Sequence, residues 1–224
     1  MSDTAFETFG SGGAEPYAHA LRFEDEVLYL RDAGSSHTAP SFSMDVSRWS
    51  DAADVTDLSL LAGARGSVLD IGCGPGRMVK AAAGRGLAAL GIDVAQAAVD
   101  IATAAGLNVL HRSVFEPLPR EGEWGLALLI DGNIGIGGDP LALLARTREL
   151  LDPAGAVIVE VHPDVDRDRA YEGTVIDIRG HQSANFPWAE VGQDALESKA
   201  RHVGLVPVHA WEAGARSFCR LAAV

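Results

Sequence analysis

Asp70, a cluster of glycines and Asp93 are the residues whose types and spacing most clearly indicate chemistry in this chain. Residues 68–77 read Val-Leu-Asp-Ile-Gly-Cys-Gly-Pro-Gly-Arg, an apolar run that ends in glycines. We predict a buried strand and then a sharp turn, because glycine lets the backbone turn tightly and approach a ligand without a Cβ in the way. In a βαβ unit, a carboxylate about 20 residues past the first glycine can accept hydrogen bonds from ribose hydroxyls. Asp93 has that position, so the two features together indicate a ligand that contains adenosine.

The glycine spacing distinguishes two kinds of adenosine ligand. A dinucleotide fingerprint reads G-x-G-x-x-G, but the glycines here are Gly72, Gly74 and Gly76. Arg77 occupies the place of the third glycine, where it would obstruct the close helix–strand packing that glycine allows. Asp70 adds a carboxylate at the mouth of the strand, which is unfavourable beside a pyrophosphate and favourable beside an amine or sulfonium cation. The pattern therefore favours a cationic adenosine ligand.

Residues 68–76 resemble motif I of the class I S-adenosylmethionine-dependent methyltransferases, and residues 91–94, Gly-Ile-Asp-Val, resemble their ribose-binding second motif. The similarity extends from about Leu61 to the C-terminus. It implies an α/β fold with a Rossmann-like, seven-stranded, mostly parallel sheet, an antiparallel final strand and helices on both faces. It also implies S-adenosylmethionine as the cofactor.

The resemblance assigns residues to cofactor binding. The backbone of residues 72–76 would hold the methionine moiety, Asp93 the ribose diol, and Asp70 would lie near the amino acid end. Relatives commonly have an acidic residue for the adenine amino group at the position of Ser113, so this chain departs from the family there. The cofactor-binding residues predicted in this way are Asp70, Gly72, Cys73, Gly74, Gly76, Asp93, Val94, Ser113 and Val114. Asp131, Gly132 and Asn133 are added because their loop follows a buried parallel strand and so lines the crevice, where contact with the cofactor or the acceptor is favoured over a loop that merely turns.

The composition points to a small-molecule acceptor. The chain has 224 residues, with 18 basic against 31 acidic side chains and a formal net charge of −13. Because proteins that bind nucleic acid neutralise its phosphates with clustered Lys and Arg, we expect no nucleic-acid partner. Two cysteines are too few for a disulfide framework, which predicts a reducing, cytoplasmic location. We also expect no secretion signal and no membrane partner, since no apolar run reaches membrane-spanning length.

Strands and helices are predicted to alternate through a single domain. We interpret residues 1–63 as an N-terminal helical cap, with one or two helices within 15–31, and residues 64–224 as the cofactor-binding core. An insertion near 164–191 interrupts the alternation, and residues 186–188 are an aromatic stop before the next helix. The predicted strands are 68–71, 88–93, 108–112, 124–130, 156–161, 174–178, 205–211 and 216–223, and the predicted helices of the core include 77–85, 95–105 and 193–202.

Aromatic and histidine side chains are the candidates for the acceptor side. An N-terminal lid would bring Tyr17 and His37 over the pocket, while Phe186 and Trp188 would form its wall. His162 follows the fifth core strand at the crevice. We predict that His162 is the general base if the acceptor must lose a proton during methyl transfer.

Some assignments stay open at this point. His37 and His111 are alternative bases, and each histidine has the ordinary alternative of a purely structural role. Arg48 and Trp49 lie upstream of motif I, in a segment that often packs over the cofactor in the resembling family, and they are candidates to contact it. A surface arginine beside a packing tryptophan is the alternative.

Two further functions are compatible with the glycine turn. One is a nicotinamide-dependent oxidoreductase, which Arg77 and Asp70 disfavour, and the other is a protein that binds S-adenosylmethionine without transferring its methyl group. A metal site from His162, Asp164 and Asp166 is disfavoured because arginines are interleaved and no second ligand cluster is present. We predict no metal, and methyl transfer to a small molecule by direct in-line displacement.

Overall fold

The computed structural model describes residues 9, 16–23, 27–34, 42–44 and 46–224. The elements in chain order are α1 (Pro16–Ala20), β1 (Leu28–Asp32), β2 (Phe42–Met44), α2 (Val46–Ser50), α3 (Val55–Leu60), β3 (Ser67–Ile71), α4 (Arg77–Ala83), β4 (Ala88–Asp93), α5 (Gln96–Ala104), β5 (Val109–His111), β6 (Trp124–Leu129), a 3-10 helix (Asn133–Gly138), α6 (Pro140–Leu150), β7 (Leu151–Val161), β8 (Asp168–Asp177), β9 (Phe186–Val191), α7 (Gln193–His202), β10 (Leu205–Ala213) and β11 (Arg216–Ala223). The strands form two separate sheets.

Seven strands form the larger sheet, in the order β10-β11-β7-β6-β3-β4-β5. Strands β3 to β7 run parallel, and β11 runs antiparallel to its neighbours β7 and β10. β6 is a continuous apolar run that is almost entirely buried, as a central parallel strand requires. The predicted seven-stranded, mostly parallel sheet with an antiparallel final strand is therefore confirmed.

Helices cover both faces of the large sheet because successive side chains of a strand point to opposite faces. Leu69 and Ile71 of β3 belong to an apolar cluster with residues of α6 and α7. Val68, which precedes Leu69 and points to the opposite face, packs instead with Leu60 and Met78. Among the described residues, no helix is long and apolar enough to cross a membrane.

Four antiparallel strands form a second, small sheet in the order β2-β1-β8-β9. β1 pairs with β8 from Leu28 opposite Asp177 to Asp32 opposite Gly173. Of the one or two helices predicted within 15–31, Pro16–Ala20 is present, whereas a second helix toward residue 31 is not, since Leu28–Asp32 is a strand. Apolar residues two apart in so short a segment fit either period, and the partner strand that decides between them lies far along the chain.

The aromatic segment at 186–188 also differs from its prediction as a stop, because it opens β9 and pairs with β8. An apolar cluster that includes Leu28, Trp188 and Ala98 joins the small sheet to α5. Since α5 begins directly after β4, this packing places the small sheet over the carboxyl edge of the large sheet. The two sheets therefore enclose the ends of the parallel strands.

Candidate active site

The turn after β3 presents backbone N–H groups at the carboxyl edge of the large sheet. Gly72 and Gly74 have φ angles of 71° and 53°, a left-handed conformation that glycine adopts without strain. The N–H groups of Gly72 and Cys73 both donate to the carbonyl oxygen of Ile92, at 2.9 and 3.0 Å. A Cβ on Gly72 would lie 2.6 Å from Nδ2 of Asn133. The turn is therefore held against β4 and has no room for a side chain at its first glycine.

Gly76 serves the packing of α4. Its φ is 91°, and a Cβ there would lie 2.6 Å from Cδ1 of Leu107. The residue precedes the first turn of α4. The structure thus places Gly76 against Leu107, away from the cavity that the other two glycines line.

Asp93 ends β4 opposite the glycine turn. Its Oδ2 accepts the N–H of Gly74 at 2.7 Å, and its Oδ1 accepts the N–H of Ala95 at 2.8 Å. Burial raises the pKa of Asp93, while these two backbone N–H groups oppose the rise. Each carboxylate oxygen keeps a second lone pair. The side chain can therefore hold the turn and still accept hydroxyl groups from a ligand.

Asp70 is a buried carboxyl group at the end of β3, only 3% exposed. Burial raises its pKa to about 7, and the nearby carboxylates of Asp131 and Asp93 add to the rise, while the Arg77 guanidinium opposes it. A cation that enters the cavity beside Asp70 stabilises the ionised form. A positively charged ligand would therefore favour ionisation of Asp70.

The turn after β6 meets the glycine turn. Asp131 has a φ of 55°, which is uncommon for a residue other than glycine, and its N–H donates to Oε2 of Glu160 at 2.7 Å. Asn133 Nδ2 donates to the carbonyl oxygens of both Ile71 and Gly72, at 2.9 Å each. Backbone strain of this kind persists where the surroundings enforce it, often at functional sites. The two strand ends are therefore clamped together.

Beside these turns lies an ion-pair cluster formed by three guanidinium and three carboxylate groups, all of which except Asp57 line the cavity: Arg48, Arg77, Arg216, Asp57, Asp131 and Glu160. Asp57 accepts hydrogen bonds from Arg77, from Nη1 of Arg216 at 2.8 Å and from Nη2 of Arg48 at 3.0 Å. Nη2 of Arg77 reaches Asp131 at 2.5 Å, and Arg216 donates to both oxygens of Glu160, at 2.8 and 2.6 Å. The six charges balance one another.

Asp57 is the most buried member of the ion-pair cluster, at 1% exposed. Burial raises its pKa, but the hydrogen bonds from Arg77 and then Arg216 outweigh that effect, so the net pKa lies below its usual value. A capping box places Asp57 in the first turn of α3, since the backbone N–H of each of Asp54 and Asp57 donates to the side-chain carboxylate of the other. Sequence reasoning missed Asp57, Glu160 and Arg216. The capping pattern at 54–57 was the one signal available, and it indicates a helix start rather than an ion pair.

The sheet ends and the small sheet enclose a cavity of about 420 Å³, a size typical of small-molecule sites. Phe186 lies outside its lining, and His37 lies outside the described residues. Arg48 and Trp49 also line the cavity. The residues predicted for the site that do line it are Tyr17, Asp70, Gly72, Cys73, Gly74, Asp93, Val94, Ser113, Val114, Asp131, Gly132, Asn133, His162 and Trp188.

Aromatic rings form one wall of the cavity. Phe9 packs on Tyr17 and on Trp188, with ring centroids 5.1 and 5.6 Å apart. Phe186 supports Trp188 from behind at 5.9 Å. A Cβ on Gly135, in the loop after β6, would lie 2.6 Å from Cε2 of Trp188. The glycine therefore lets that loop lie directly against β9 and sets the position of the Trp188 indole.

His162 stands at the end of β7 and lines the cavity. Its backbone N–H donates to Val191 O at 2.8 Å, and its Nδ1 accepts the backbone N–H of Asp164 at 3.0 Å. His111, the alternative base, is exposed, and its Nε2 lies 2.8 Å from Val94 O. Within the described residues, no group of three His, Cys, Asp or Glu side chains has a geometry that could hold a metal ion.

Several solved structures share this fold. One is an S-adenosylmethionine-dependent methyltransferase from Bacteroides fragilis in complex with S-adenosyl-L-homocysteine, with a TM-score of 0.72, 17% identity and 93% of each chain covered. Another is the 1,6-didemethyltoxoflavin-N1-methyltransferase of Burkholderia thailandensis, with a TM-score of 0.57, 20% identity, and 79% and 80% of the two chains covered. A third is the CcbJ methyltransferase of Streptomyces caelestis, at 0.56, 18%, and 75% and 88%.

A family model described as a methyltransferase domain matches residues 48–211. No curated protein matches the chain. The match extends from α2 into β10 and so includes the carboxyl ends of all five parallel strands, β3 to β7. It confirms the predicted family and S-adenosylmethionine as its cofactor, and it decides against the nicotinamide-dependent oxidoreductase. The chain belongs to the methyltransferase domain family, with the fold of the class I S-adenosylmethionine-dependent enzymes.

Proposed function

We propose that this methyltransferase transfers the methyl group of S-adenosylmethionine to a small molecule by direct in-line displacement. The observation that supports this most is the convergence of Asp70, the glycine turn and Asp93 on one enclosed cavity. Two carboxylates beside a glycine turn match a ligand with a cationic amino acid end and a ribose diol. We call these residues, Asp70, Gly72–Gly74 and Asp93, the cofactor rim.

Each part of the cofactor rim has its own task in this proposal. Asp70 binds the cationic amino acid end, because its buried carboxyl group gains most from a neighbouring positive charge. The backbone at Gly72 and Gly74 approaches the methionine moiety closely because neither residue has a side chain. Asp93 accepts the ribose hydroxyls with the lone pairs that Gly74 and Ala95 leave free.

The adenine is proposed to lie beyond Asp93, where Val94, Ser113 and Val114 line the cavity. Ser113 does not offer the carboxylate found in relatives, and its Oγ already accepts the N–H of Phe115 at 3.3 Å. Val94 and Val114 supply apolar surface on this side, and adenine recognition here depends more on that surface and less on a side-chain charge.

Methyl transfer itself requires little chemistry from the protein. S-adenosylmethionine supplies an activated methyl group on a sulfonium, so positioning the nucleophile and excluding water contribute most of the acceleration. Well-oriented reactants gain about 7 to 11 kcal/mol in favourable cases. The aromatic wall around Tyr17 and Trp188 and the overlying small sheet provide such an enclosure.

The acceptor is proposed to lie between the cofactor rim and the wall that Tyr17 and Trp188 form. Phe186 contributes by holding Trp188 in place, and His37 stays a prediction from sequence. His162 borders the same space. The net charge of −13 disfavours polyanionic acceptors, and the Burkholderia relative in the comparison was solved with a small heteroaromatic ligand, 1,6-didemethyltoxoflavin. With two buried, unpaired cysteines, we also propose that the protein works in a reducing compartment such as the cytoplasm.

Thermal unfolding with S-adenosylhomocysteine, NAD or NADP tests the cofactor site directly. A ligand at 100 times its dissociation constant adds about 2.7 kcal/mol, which raises the midpoint by about 5 to 11 °C for a domain of this size. We expect that rise with S-adenosylhomocysteine alone. A rise with a nicotinamide cofactor alone would contradict the proposal.

Transfer of a radiolabelled methyl group to a library of small molecules tests the reaction. Labelled product that requires the intact protein and is lost in Asp93→Ala supports methyl transfer. Binding of S-adenosylhomocysteine without any labelled product would favour a non-catalytic binding protein.

A further inference from the structure

His162 is the polar group at the acceptor end of the cavity whose environment selects one protonation form. Its Nδ1 accepts the backbone N–H of Asp164 at 3.0 Å. A backbone N–H can only donate, so Nδ1 must offer a lone pair. A neutral imidazole carries one proton, and this proton is therefore on Nε2.

The loop that makes this contact is held in place by β9 and α7. The N–H of Gly192 donates to Arg167 O at 2.7 Å, and the N–H of Asp194 donates to Val165 O at 3.1 Å. A Cβ on Gly192 would lie 2.6 Å from the carbonyl carbon of Val165. The backbone at Gly192 therefore packs so closely on this loop that only a glycine fits there. The direction of the Asp164 N–H thus follows from tertiary packing.

The charged side chains beside His162 are paired with each other. Glu190 accepts Nε of Arg167 at 2.7 Å and the hydroxyl of Tyr171 at 3.0 Å, and Glu160 accepts two hydrogen bonds from Arg216. Within the described part of the chain, Nε2 of His162 makes no hydrogen bond to the protein. At this end of the cavity, the methyl acceptor therefore meets a neutral hydrogen-bond donor, the Nε2–H of His162.

We infer that His162 binds the methyl acceptor as an Nε2–H hydrogen-bond donor, and that the acceptor is a neutral, planar heteroaromatic or carbonyl compound whose oxygen or ring nitrogen accepts that bond. This inference rests on the proposed methyl transfer and specifies its substrate class. Aromatic side chains such as Trp188 favour a flat ring. Because the charged side chains of this wall are paired with each other, the wall favours a molecule without net charge.

The reaction then proceeds without a proton transfer to His162. The bond between sulfur and the methyl carbon breaks with its electron pair staying on sulfur, and a lone pair of the acceptor forms the new bond to carbon. If the attacking nitrogen or oxygen carries a hydrogen, the proton leaves to water. A role as general base, predicted from sequence, requires an unprotonated Nε2, and that form loses the contact from Asp164 because the single proton then occupies Nδ1.

The protonation form is measured by two-bond ¹H–¹⁵N correlation NMR of the histidine rings, in the free protein and with S-adenosylhomocysteine bound. The signal that disappears in His162→Gln identifies the residue. We expect the proton on Nε2 in the neutral ring, and a proton on Nδ1 would overturn the inference. The measurement requires no acceptor, and the unfolding experiment with S-adenosylhomocysteine reports on the proposed function separately.

Three substitutions separate the possible roles of His162 by turnover. His162→Gln keeps an N–H donor near the place of Nε2, His162→Asn keeps an oxygen near the place of Nδ1, and His162→Ala keeps neither. We expect the Gln variant to retain turnover within about tenfold, and the Asn and Ala variants to lose about tenfold or more beyond that. Equal losses of turnover in all three variants would indicate that His162 is a general base. Higher turnover in the Asn variant than in the Gln variant would indicate that His162 only anchors the loop. Either result contradicts the inference.

The acceptor class is tested with 4-hydroxyquinoline and uracil as neutral probes, and with phenethylamine and benzoate as charged probes. We expect labelled methyl transfer to the neutral pair. Methylation of the charged compounds alone, or of none of the four, would contradict the neutral class.

Discussion

The cofactor rim and the small sheet are the two halves of one cavity, and they are assembled in different ways. The rim comes from a single continuous segment, in which β3, its glycine turn and the end of β4 lie next to one another. The small sheet instead joins β1 and β2 with β8 and β9, which are distant in sequence. The first half is therefore locally encoded, and the second depends on long-range pairing. We expect changes to the rim to affect cofactor binding, and changes to the small sheet to affect acceptor turnover.

The largest effect is expected on the side of the rim, from Arg77→Met. This change leaves the buried Asp57 and the half-buried Asp131 with fewer guanidinium partners. Removing one partner of a buried ion pair lowers the free energy of unfolding by about 3 to 5 kcal/mol. We expect a value near about 3 kcal/mol, because Arg48 and Arg216 remain as partners. Urea unfolding measures the free energy of unfolding directly.

Arg201→Met is the control, because Arg201 makes an exposed i,i+4 pair with Glu197. That pair contributes about 0.3 to 0.5 kcal/mol. Equal destabilisation by the two variants would mean that the ion-pair cluster does not stabilise the rim.

The next effect separates steric fit at the rim from backbone strain. Gly72→Ala and Gly86→Ala both place an alanine at positive φ, which costs about 1 to 2 kcal/mol of stability each. A Cβ on Gly72 meets Asn133, whereas one on Gly86 has nothing within 4 Å. We expect calorimetry to show about a 100-fold loss of S-adenosylhomocysteine affinity for Gly72→Ala alone. Comparable affinities in both variants would show that the close approach at Gly72 is not needed for binding.

The pH dependence of cofactor binding follows from Asp70, whose pKa is raised to about 7 by burial. A cationic ligand binds the ionised carboxylate, so below pH 7 binding must release a proton. Affinity for S-adenosylhomocysteine should rise about tenfold per pH unit up to about 7 and then level off. Because the folded pKa exceeds the unfolded value of about 3.9, the contribution of Asp70 to folding stability falls as the pH rises from about 4 to 7.

Asp70→Asn is the control for this pH profile. It should flatten the affinity profile between pH 5.5 and 7.5, while other raised groups such as Asp93 stay in place. A profile that keeps its slope in the variant would assign the proton to another residue.

The smallest effect concerns the small sheet. In Gly135→Ala the new Cβ would lie 2.3 Å from the carbonyl oxygen of Ala189 and 2.6 Å from Cε2 of Trp188, so β9 must shift at both residues. We expect kcat/KM for the acceptor to fall about tenfold, since displaced walls misplace the reactants, while S-adenosylhomocysteine affinity stays within about threefold. If Gly135→Ala lost as much cofactor affinity as Gly72→Ala, the small sheet would affect cofactor binding as well, which contradicts the division between the two halves.

The large sheet was predictable because its signals are local. Buried parallel strands appear as continuous apolar runs, as in β6, and their ends were marked by glycines and carboxylates. α7 was predicted at its observed bounds, 193–202. The residues of the rim could be found for the same reason, since Asp70 and Asp93 follow directly from the strand and turn pattern.

The small sheet and the ion-pair cluster were not predictable in this way. β1 is too short for its periodicity to distinguish strand from helix, and its pairing with β8 is decided by contacts across the chain. Asp57 and Arg216 are 159 positions apart, and no spacing in the sequence relates them. Their pairing exists only because two helices and the last hairpin meet beside the glycine turn.

The amino-acid sequence by itself indicated the family, a mostly parallel seven-stranded sheet and the carboxylates at its strand ends, because apolar runs and glycine turns are local signals. Only the tertiary structure decided how the cavity is closed and which charges are paired within it. It also decided that the Asp164 N–H faces Nδ1 of His162. These features depend on segments far apart in the chain, whose contacts form only when both sheets are in place.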